Sequence, residues 1–377
     1  MDENSIVLPD TLVAQLIDNA ATLNDYLQKE FEVIVKLREP LRKQLIDEGR
    51  IMKAIKSDKT FDETFSIDGG ENVEVDRANA YSVSCAVCVG KDYSTNEQSS
   101  CLALLPHVEC LKTLSSGLMM MQEIMITVEA CERNSNAVCF IDGSKISMII
   151  RINQFYTGIL RDLPGQLDYW RKDGTESLNK EPGKTLLKFE SRDWLSEYLL
   201  HPRIVGNLKL VTSVTLLEKY APQWIGKFDD KTLAALILDE NEYLSPIPLP
   251  IPGEPFHVRG TYPYSQKIDS IEKQLYTDES NHQIFHIYYR PRISQGVFKI
   301  EANKRFVQSE TGMERLFNWW QYETCAPDLL EPYSFVLVDR FAKEGVRVAT
   351  MALQEITRRS PTDSEWAWYL TQPYRTK

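Results

Sequence analysis

The sequence predicts an α/β domain with an N-terminal helical extension, and three patterns carry that expectation. Apolar residues at positions 12, 16, 20, 23, 27, 31, 34, 41 and 45 recur in steps of three and four, the spacing of an amphipathic helix. Residues 64–89 change to alternation and are rich in Val, Ser and Cys, which marks strands. Residues 102–131 return to helical spacing through Leu111, Leu114, Leu118, Met121, Met125 and Val128, and Ala137-Val138-Cys139-Phe140-Ile141 follows as a short buried strand. Strand, helix and strand in succession specify helices laid on a sheet.

Taken in order, the first stripe forms one or two helices, with Pro40 as a kink or break. It either packs on its own domain or grips a partner helix. Residues 53–63 are charged, and 158–184, rich in Gly, Pro and charge, read as a loop or insertion. Helices are expected at 193–200 and 232–238. Residues 245–252 form a polyproline-like connector into strands near 256–258, 284–289 and 297–300, and 334–359 closes the chain with a helix. No solenoid period is present, so the chain divides into an extension, 1–60, and one domain, 61–377.

The 377 residues, 43% hydrophobic and 26% charged, have the composition of a folded protein rather than a disordered or fibrous one. With 43 basic and 54 acidic side chains the net charge is −11, so a polyanion would have to meet a local basic patch. Met1-Asp2-Glu3-Asn4 opens no signal segment, and no apolar run reaches the ~18 residues of a membrane span, which together predict a cytoplasmic protein without a membrane partner. The seven cysteines are odd in number and several lie in apolar runs, as reduced, buried thiols do.

The chain lacks a phosphate-binding GxxxxGK[ST] loop, a GxSxG elbow and an HExxH pair. Cys85 and Cys88, three apart on a strand, face opposite sides and cannot chelate one ion together. What stands out is an echo. Phe65-Ser66-Ile67-Asp68-Gly69-Gly70 and Cys139-Phe140-Ile141-Asp142-Gly143-Ser144 each carry an apolar strand into an aspartate followed by glycine. The expectation is two carboxylates at strand ends, each with a sharp glycine turn leaving room for a hard cation and a phosphate; the plainer reading is that Asp-Gly is a tight-turn dipeptide. The intervening helix places Glu123 and Glu129 among Met, Leu and Ile. A buried carboxylate needs a partner or a metal, so Asp68, Glu123 and Asp142 form a candidate Mg²⁺ or Mn²⁺ set, Glu123 being preferred to Glu129 because it lies nearer the middle of the apolar run; the plainer reading puts both glutamates on the solvated face. Such sets hold two ions about 4 Å apart for phosphodiester hydrolysis, and they also serve phosphatases and structural metal sites.

In order and spacing, these motifs resemble the NurA nucleases from about Thr64 to Ile356. The similarity runs through Ile67-Asp68-Gly69-Gly70, Glu123, Phe140 to Ser144, Phe228 to Ala234 with Glu242 to Pro246, Tyr289 with Val297 to Glu301, and Pro332 to Ala342. It implies a ribonuclease-H-like mixed sheet flanked by helices. It also implies a Mn²⁺- or Mg²⁺-dependent deoxyribonuclease, a 5′→3′ exonuclease and single-strand endonuclease. Asp68, Glu123 and Asp142 would be its metal ligands and catalytic residues. The implied setting is a homodimer on a HerA-type hexameric ATPase, in DNA end processing or phage defence. Departures lie in the outer motifs: Glu331 and Asp339 stand where some members offer tyrosine and histidine, and 213–215 holds no lysine. Asp339 is either an accessory carboxylate or structural.

If DNA binds, two basic segments are candidate phosphate tracks: Arg290, Arg292, Lys299, Lys304 and Arg305 against Glu301, and Arg340, Lys343, Arg347, Arg358 and Arg359 against Glu344 and Glu355. Tyr288, Tyr289 and Phe306 either stack bases or belong to the core. The rival class is a catalytically inactive NurA-like adaptor of the translocase, and a small-molecule phosphatase is a third.

Overall fold

The computed structural model describes residues 10–75, 80–105, 109–172, 180–209, 213–249, 258–294, 296–324, 326 and 330–359. Helix α1 (Asp10–Asp47) and strand β1 (Ile51–Lys53) precede three antiparallel strands, β2 (Thr64–Val75), β3 (Ala80–Gly90) and β4 (Thr95–Leu105). Helix α2 (Leu111–Arg133) leads into β5 (Val138–Ile141), parallel to β2. Helices α3 (Lys145–Asp162), α4 (Gln166–Lys172), α5 (Lys180–Glu190) and α6 (Trp194–Leu200) then lead to β6 (Ile204–Leu208), parallel to β5. Next come α7 (Thr215–Tyr220), α8 (Asp230–Ile237), β7 (Glu242–Leu244), β8 (Ile247–Pro248) and α9 (Ser265–Tyr276). Strands β9 (Ile284–Arg290) and β10 (Phe298–Asn303) and helices α10 (Lys304–Val307), α11 (Gly312–Glu323) and α12 (Tyr333–Arg359) are the last of the described elements. The sheet order is β1-β7-β9-β10-β6-β5-β2-β3-β4, with β8 on β9. Three antiparallel strands, a helix and two parallel strands make a ribonuclease-H-like core, which β10, β9, β7 and β1 widen on one side.

Alternation along the strands builds one core on each face of the sheet. Cys139 and Ile141 of β5 join Ile67, Cys88 and Ile204 against Leu118, Met121 and Met125 of α2. Val138 and Phe140 join Val87, Val205 and Ile300 against Trp319, Trp320, Phe335 and Ala342 of α11 and α12. Phe140 stacks flat on Trp319 with ring centroids 3.6 Å apart. The opposite sides read for Cys85 and Cys88 are seen directly, since they belong to different cores. The six described cysteines are buried and unbridged, and Cys325 lies outside the described residues.

Several elements differ from expectation. Residues 102–105 belong to β4, whose first half, Thr95-Asn96-Glu97-Gln98-Ser99-Ser100, is polar because β4 is an edge strand. The region 158–184 is helical in α3, α4 and α5 where described. The connector 245–252 contributes β8, paired with β9, and of the strand expected near 256–258 only Val258 is described, outside any strand. Asp68 does not end a strand. It sits mid-way along β2, opposite Val87, and the pairing continues through Gly69 and Gly70 to Val75 without a turn. Asp142 does follow the end of its strand.

Helix α1 continues through Pro40. Pro40 forfeits one backbone hydrogen bond, and its neighbours supply others: Arg42 donates to Glu242 at 2.6 and 2.8 Å and Arg38 to the Leu236 carbonyl at 3.0 Å. Leu41 and Leu45 pack with Leu217, Leu233 and Ala234, and β1 pairs with β7. The last part of segment 1–60 thus builds the edge of the sheet, whereas every described side chain from Gln15 to Lys36 is exposed, Ile17, Leu23 and Val35 included.

Candidate metal centre

The site begins with strand register. Ile67 pairs with Ile141, and the Asp142 N–H extends that parallel ladder by donating to the Ile67 carbonyl at 3.2 Å. Asp142 therefore stands beside Asp68. Glu123 arrives from α2 because Gly69 leaves it room: a Cβ there would lie 2.6 Å from Met119 Cγ and 2.9 Å from Glu123 Oε1. On the other face a Cβ at Gly70 would lie 3.0 Å from the Ala342 carbonyl, so the two glycines admit α2 and α12 to opposite sides of one strand. Asp339, on α12, is near enough to add its charge to Asp68 and Asp142.

These acids repel one another in a poorly solvated place. Burial, then the charge of Asp142, pushes the Asp68 carboxyl up to about 8. Burial, then Asp68 and Asp142, holds Glu123 well above the usual carboxylate range. Asp142 is raised by burial, opposed by Lys209, whose Nζ donates to Asp142 Oδ2 at 2.6 Å and also reaches Glu331 at 3.0 Å. Burial disfavours the Lys209 ammonium, but its bonds to Asp142 and Glu331 carry it above the ordinary lysine value. Glu123 Oε2 and Asp142 Oδ1 are buried and accept no hydrogen bond among the described residues.

Buried, mutually repelling hard oxygens with open lone pairs suit a divalent cation of the Mg²⁺ or Mn²⁺ class. The fit is one of donor chemistry rather than finished coordination. Among the described residues no three of His, Cys, Asp or Glu are placed to hold one ion together, Lys209 taking one oxygen of Asp142 and Gly69 N–H one of Asp68 at 2.9 Å.

No family model and no curated protein matches the sequence. Solved structures do match. The NurA nuclease from Sulfolobus solfataricus superposes with a TM-score of 0.59 at 12% identity, over 95% of this chain and 99% of that one. A NurA with manganese gives 0.55 at 11% identity, over 91% and 99%, and a NurA bound to dAMP and manganese gives 0.55 at 10%, over 91% and 98%. The chain has the NurA fold.

On that NurA fold the other candidates scatter. Glu129 faces away and pairs with Lys188 at 2.8 Å. Asp339 pairs with Lys343 at 2.8 Å. The segment 286–305 is not one track. Because β9 and β10 are antiparallel, Arg290 and Arg292 lie at the Asp142 end of the sheet and Lys304 and Arg305 at the other. Lys299 is 1% exposed, its ammonium 5.5 Å from the Tyr288 ring, so it cannot meet a phosphate from there. Lys304 is occupied by Asp278, and the Arg290 guanidinium donates to the Leu238 carbonyl at 2.8 Å. Arg292, Arg305 and Arg340 are exposed. Tyr288, Tyr289 and Phe306 are core residues, Tyr289 lying 4.4 Å from Phe317 by ring centroid. Arg358 and Arg359 close α12.

Sequence reasoning missed Lys209 and the part played by Glu331. A lysine was sought at 213–215, and it comes directly after β6, as Asp142 comes directly after the parallel neighbour β5. That parallel between two strand ends was the available signal. Lys231, whose Nζ donates to the Lys209 carbonyl at 3.2 Å, adds a second cation nearby.

Proposed function

We propose that this chain is a metal-dependent deoxyribonuclease, with Asp68, Glu123 and Asp142 as metal ligands, Mn²⁺ or Mg²⁺ as cofactor and DNA as substrate. The observation that carries the reading is the convergence of these three carboxylates, two of whose oxygens accept no hydrogen bond among the described residues, beside the partly exposed Lys209. NurA bound to dAMP and manganese offers a precedent on the same fold. A bound cation would supply Lewis-acid activation of water and charge relief at the leaving oxygen. The chain's own residues do the rest. Lys209, 39% exposed, opposes the burial that raises Asp142 and presents positive charge where a phosphate oxygen would arrive. Asp339 and Glu331 keep the surroundings acidic enough to retain a cation, and Lys343 offsets Asp339. Arg292 and Arg340 are the exposed cations best suited to the DNA backbone.

In its finer form the proposal is a 5′→3′ exonuclease and single-strand endonuclease, a homodimer served by a HerA-type hexameric ATPase, in DNA end processing or phage defence. The projecting part of α1 supports a protein partner. At ~1.5 Å per residue this helix exceeds 50 Å, and every described side chain from Gln15 to Lys36 is exposed. The apolar groove of about 460 Å³ beside it, lined by Leu37, Leu41, Trp224 and Leu236, extends the same surface.

The test is end-labelled single- and double-stranded DNA incubated with the purified chain in EDTA, Mg²⁺ or Mn²⁺. Cleavage should need metal and be lost in Asp142→Asn. DNA or ATPase binding without cleavage in any metal would instead favour the inactive adaptor.

A further inference from the structure

The turn that delivers Asp142 is gripped from beneath by a polar stripe on β10 that the proposed chemistry does not use. Lys299, Glu301 and Asn303 alternate with the core residues Phe298, Ile300 and Ala302, so all three take the opposite face of the sheet, Glu301 and Asn303 against Lys145 at the start of α3 and Lys299 toward Asp230 of α8. Glu301, 2% exposed, accepts from Ser144 Oγ at 2.9 and 3.0 Å and from the Lys145 N–H at 2.8 Å. It also accepts from His286 Nε2 at 3.2 Å, and because a carboxylate only accepts, that nitrogen carries the hydrogen. Two residues along β10, Asn303 Oδ1 accepts from Lys145 Nζ at 2.6 Å, and the same ammonium donates to the His201 carbonyl at 3.1 Å. Lys145 is fully buried, and these bonds together with the nearby charge of Glu301 offset its leaving water.

The opposing strand closes the grip. Gly206 pairs with Ile141 on one side and Glu301 on the other, and a Cβ at 206 would lie 2.7 Å from the Gly143 carbonyl oxygen and 3.4 Å from Glu301 Cβ. The turn is therefore pressed onto the bare backbone of β6 while Glu301 holds its next two residues, and little freedom is left in the height at which Asp142 emerges.

We infer that Glu301, braced by His286 and faced by Gly206, is a positioning residue for Asp142, an inference that rests on the metal-centre reading above. Partners that orient a ligating carboxylate are typically worth ~10–100-fold in metal affinity. Glu301→Gln keeps the volume but sets an amide N–H₂ against one of the donors Glu301 now accepts from. Gly206→Ala moves the Gly143 carbonyl without removing a charge. Ser144→Ala is the mild variant, removing one hydroxyl.

The experiment measures Mn²⁺ binding to the full chain without DNA, by the loss of free-ion electron paramagnetic resonance signal, with melting temperatures in EDTA alongside. Glu301→Gln and Gly206→Ala should each weaken Mn²⁺ by ~10-fold and Ser144→Ala by ~3-fold, while Asp142→Asn loses it. A merely structural role would lower the melting temperature and leave the affinity of the folded fraction alone. If Asp142→Asn loses Mn²⁺ but the folded Glu301→Gln, Gly206→Ala and Ser144→Ala chains bind it within twofold of the parent, the positioning role is overturned and the metal centre stands. If the parent chain itself binds no Mn²⁺, both fall together.

Discussion

Asp68-Gly69-Gly70 and Asp142-Gly143-Ser144 look alike in sequence and work differently in three dimensions. The first lies in the middle of a twelve-residue strand, where the glycines are bare patches against which α2 and α12 lie. The second follows a four-residue strand, and a Cβ at Gly143 would meet nothing within 4 Å. The carboxylates differ in company too: Lys209 binds Asp142, whereas among the described residues Asp68 accepts only from its neighbour's N–H. A glycine beside a metal-binding carboxylate can thus mark either a chain that turns or a strand that a helix must approach. Only packing tells which.

The comparison breaks most directly at the carboxylates. Asp68→Asn and Asp142→Asn keep shape and remove a charge from the proposed metal set, so each should lower metal-dependent cleavage by on the order of 10³-fold or more with melting temperature preserved. Glu123→Gln should follow them, and Glu129→Gln, whose parent side chain pairs with Lys188, should not. Single-turnover rates on labelled single strands provide the measurement. A full rate in Asp142→Asn, or a dead Glu129→Gln beside an active Glu123→Gln, would dismantle the set.

How much of this was legible beforehand follows from the range of each signal. Helix α2 is buried on nearly every side, and it shows because Leu114, Leu118, Met121 and Met125 still recur in steps of three and four. Asp68, Glu123 and Asp142 show because charge in apolar surroundings is locally anomalous. The polar half of β4 hides because an edge strand keeps one face in water, and α1 reads through Pro40 only once Arg42 is seen on Glu242, 200 residues away. Lys209 hides because a lysine after a strand looks like any solvated lysine until the strand has a place in the sheet. Counting cations from 286 to 305 fails for a related reason: the count ignores which face Lys299 takes and which end Lys304 occupies.

Gly69→Ala sharpens the contrast next. Its methyl would stand 2.6 Å from Met119 Cγ and 2.9 Å from Glu123 Oε1, so α2 must retreat or Glu123 must turn aside. Overpacking of this kind costs ~1–3 kcal/mol, and the displaced carboxylate should weaken metal binding as well. Urea unfolding and Mn²⁺ titration together report it; parent-like values in both would show that Gly69 is not an approach site.

The pH dependence separates the two aspartates. Asp68, raised to about 8, binds a proton in the folded metal-free protein where the unfolded chain has released it. Its contribution is therefore fully present below the unfolded value near 3.8 and lost as pH rises through about 8. Melting temperature in EDTA should fall between pH 6 and 9, with Glu123 acting in the same sense. Mn²⁺, which replaces the proton, should raise it more at pH 9 than at pH 6. In Asp142→Asn the charge that raises Asp68 is gone, so the fall should shrink. An identical fall in both proteins would mean that burial alone sets Asp68.

The smallest expected effect is at Gly143, and it is the sharpest test of the contrast because it is nearly nothing. The residue follows Asp142 as Gly69 follows Asp68, and on sequence alone the two would be given the same role. Its φ lies outside the left-handed region that Gly49, Gly165 and Gly226 occupy, and the space where its Cβ would stand is open. An alanine there asks for no movement of Glu301, Ser144 or β6. Gly143→Ala should therefore stay within roughly 0.5 kcal/mol of the parent in urea unfolding, with Mn²⁺ affinity and cleavage rate within about twofold, since the turn's hydrogen bonds are untouched. A loss as large as that of Gly69→Ala would show that the second glycine, too, is needed for close approach, and the difference drawn between the two segments would disappear.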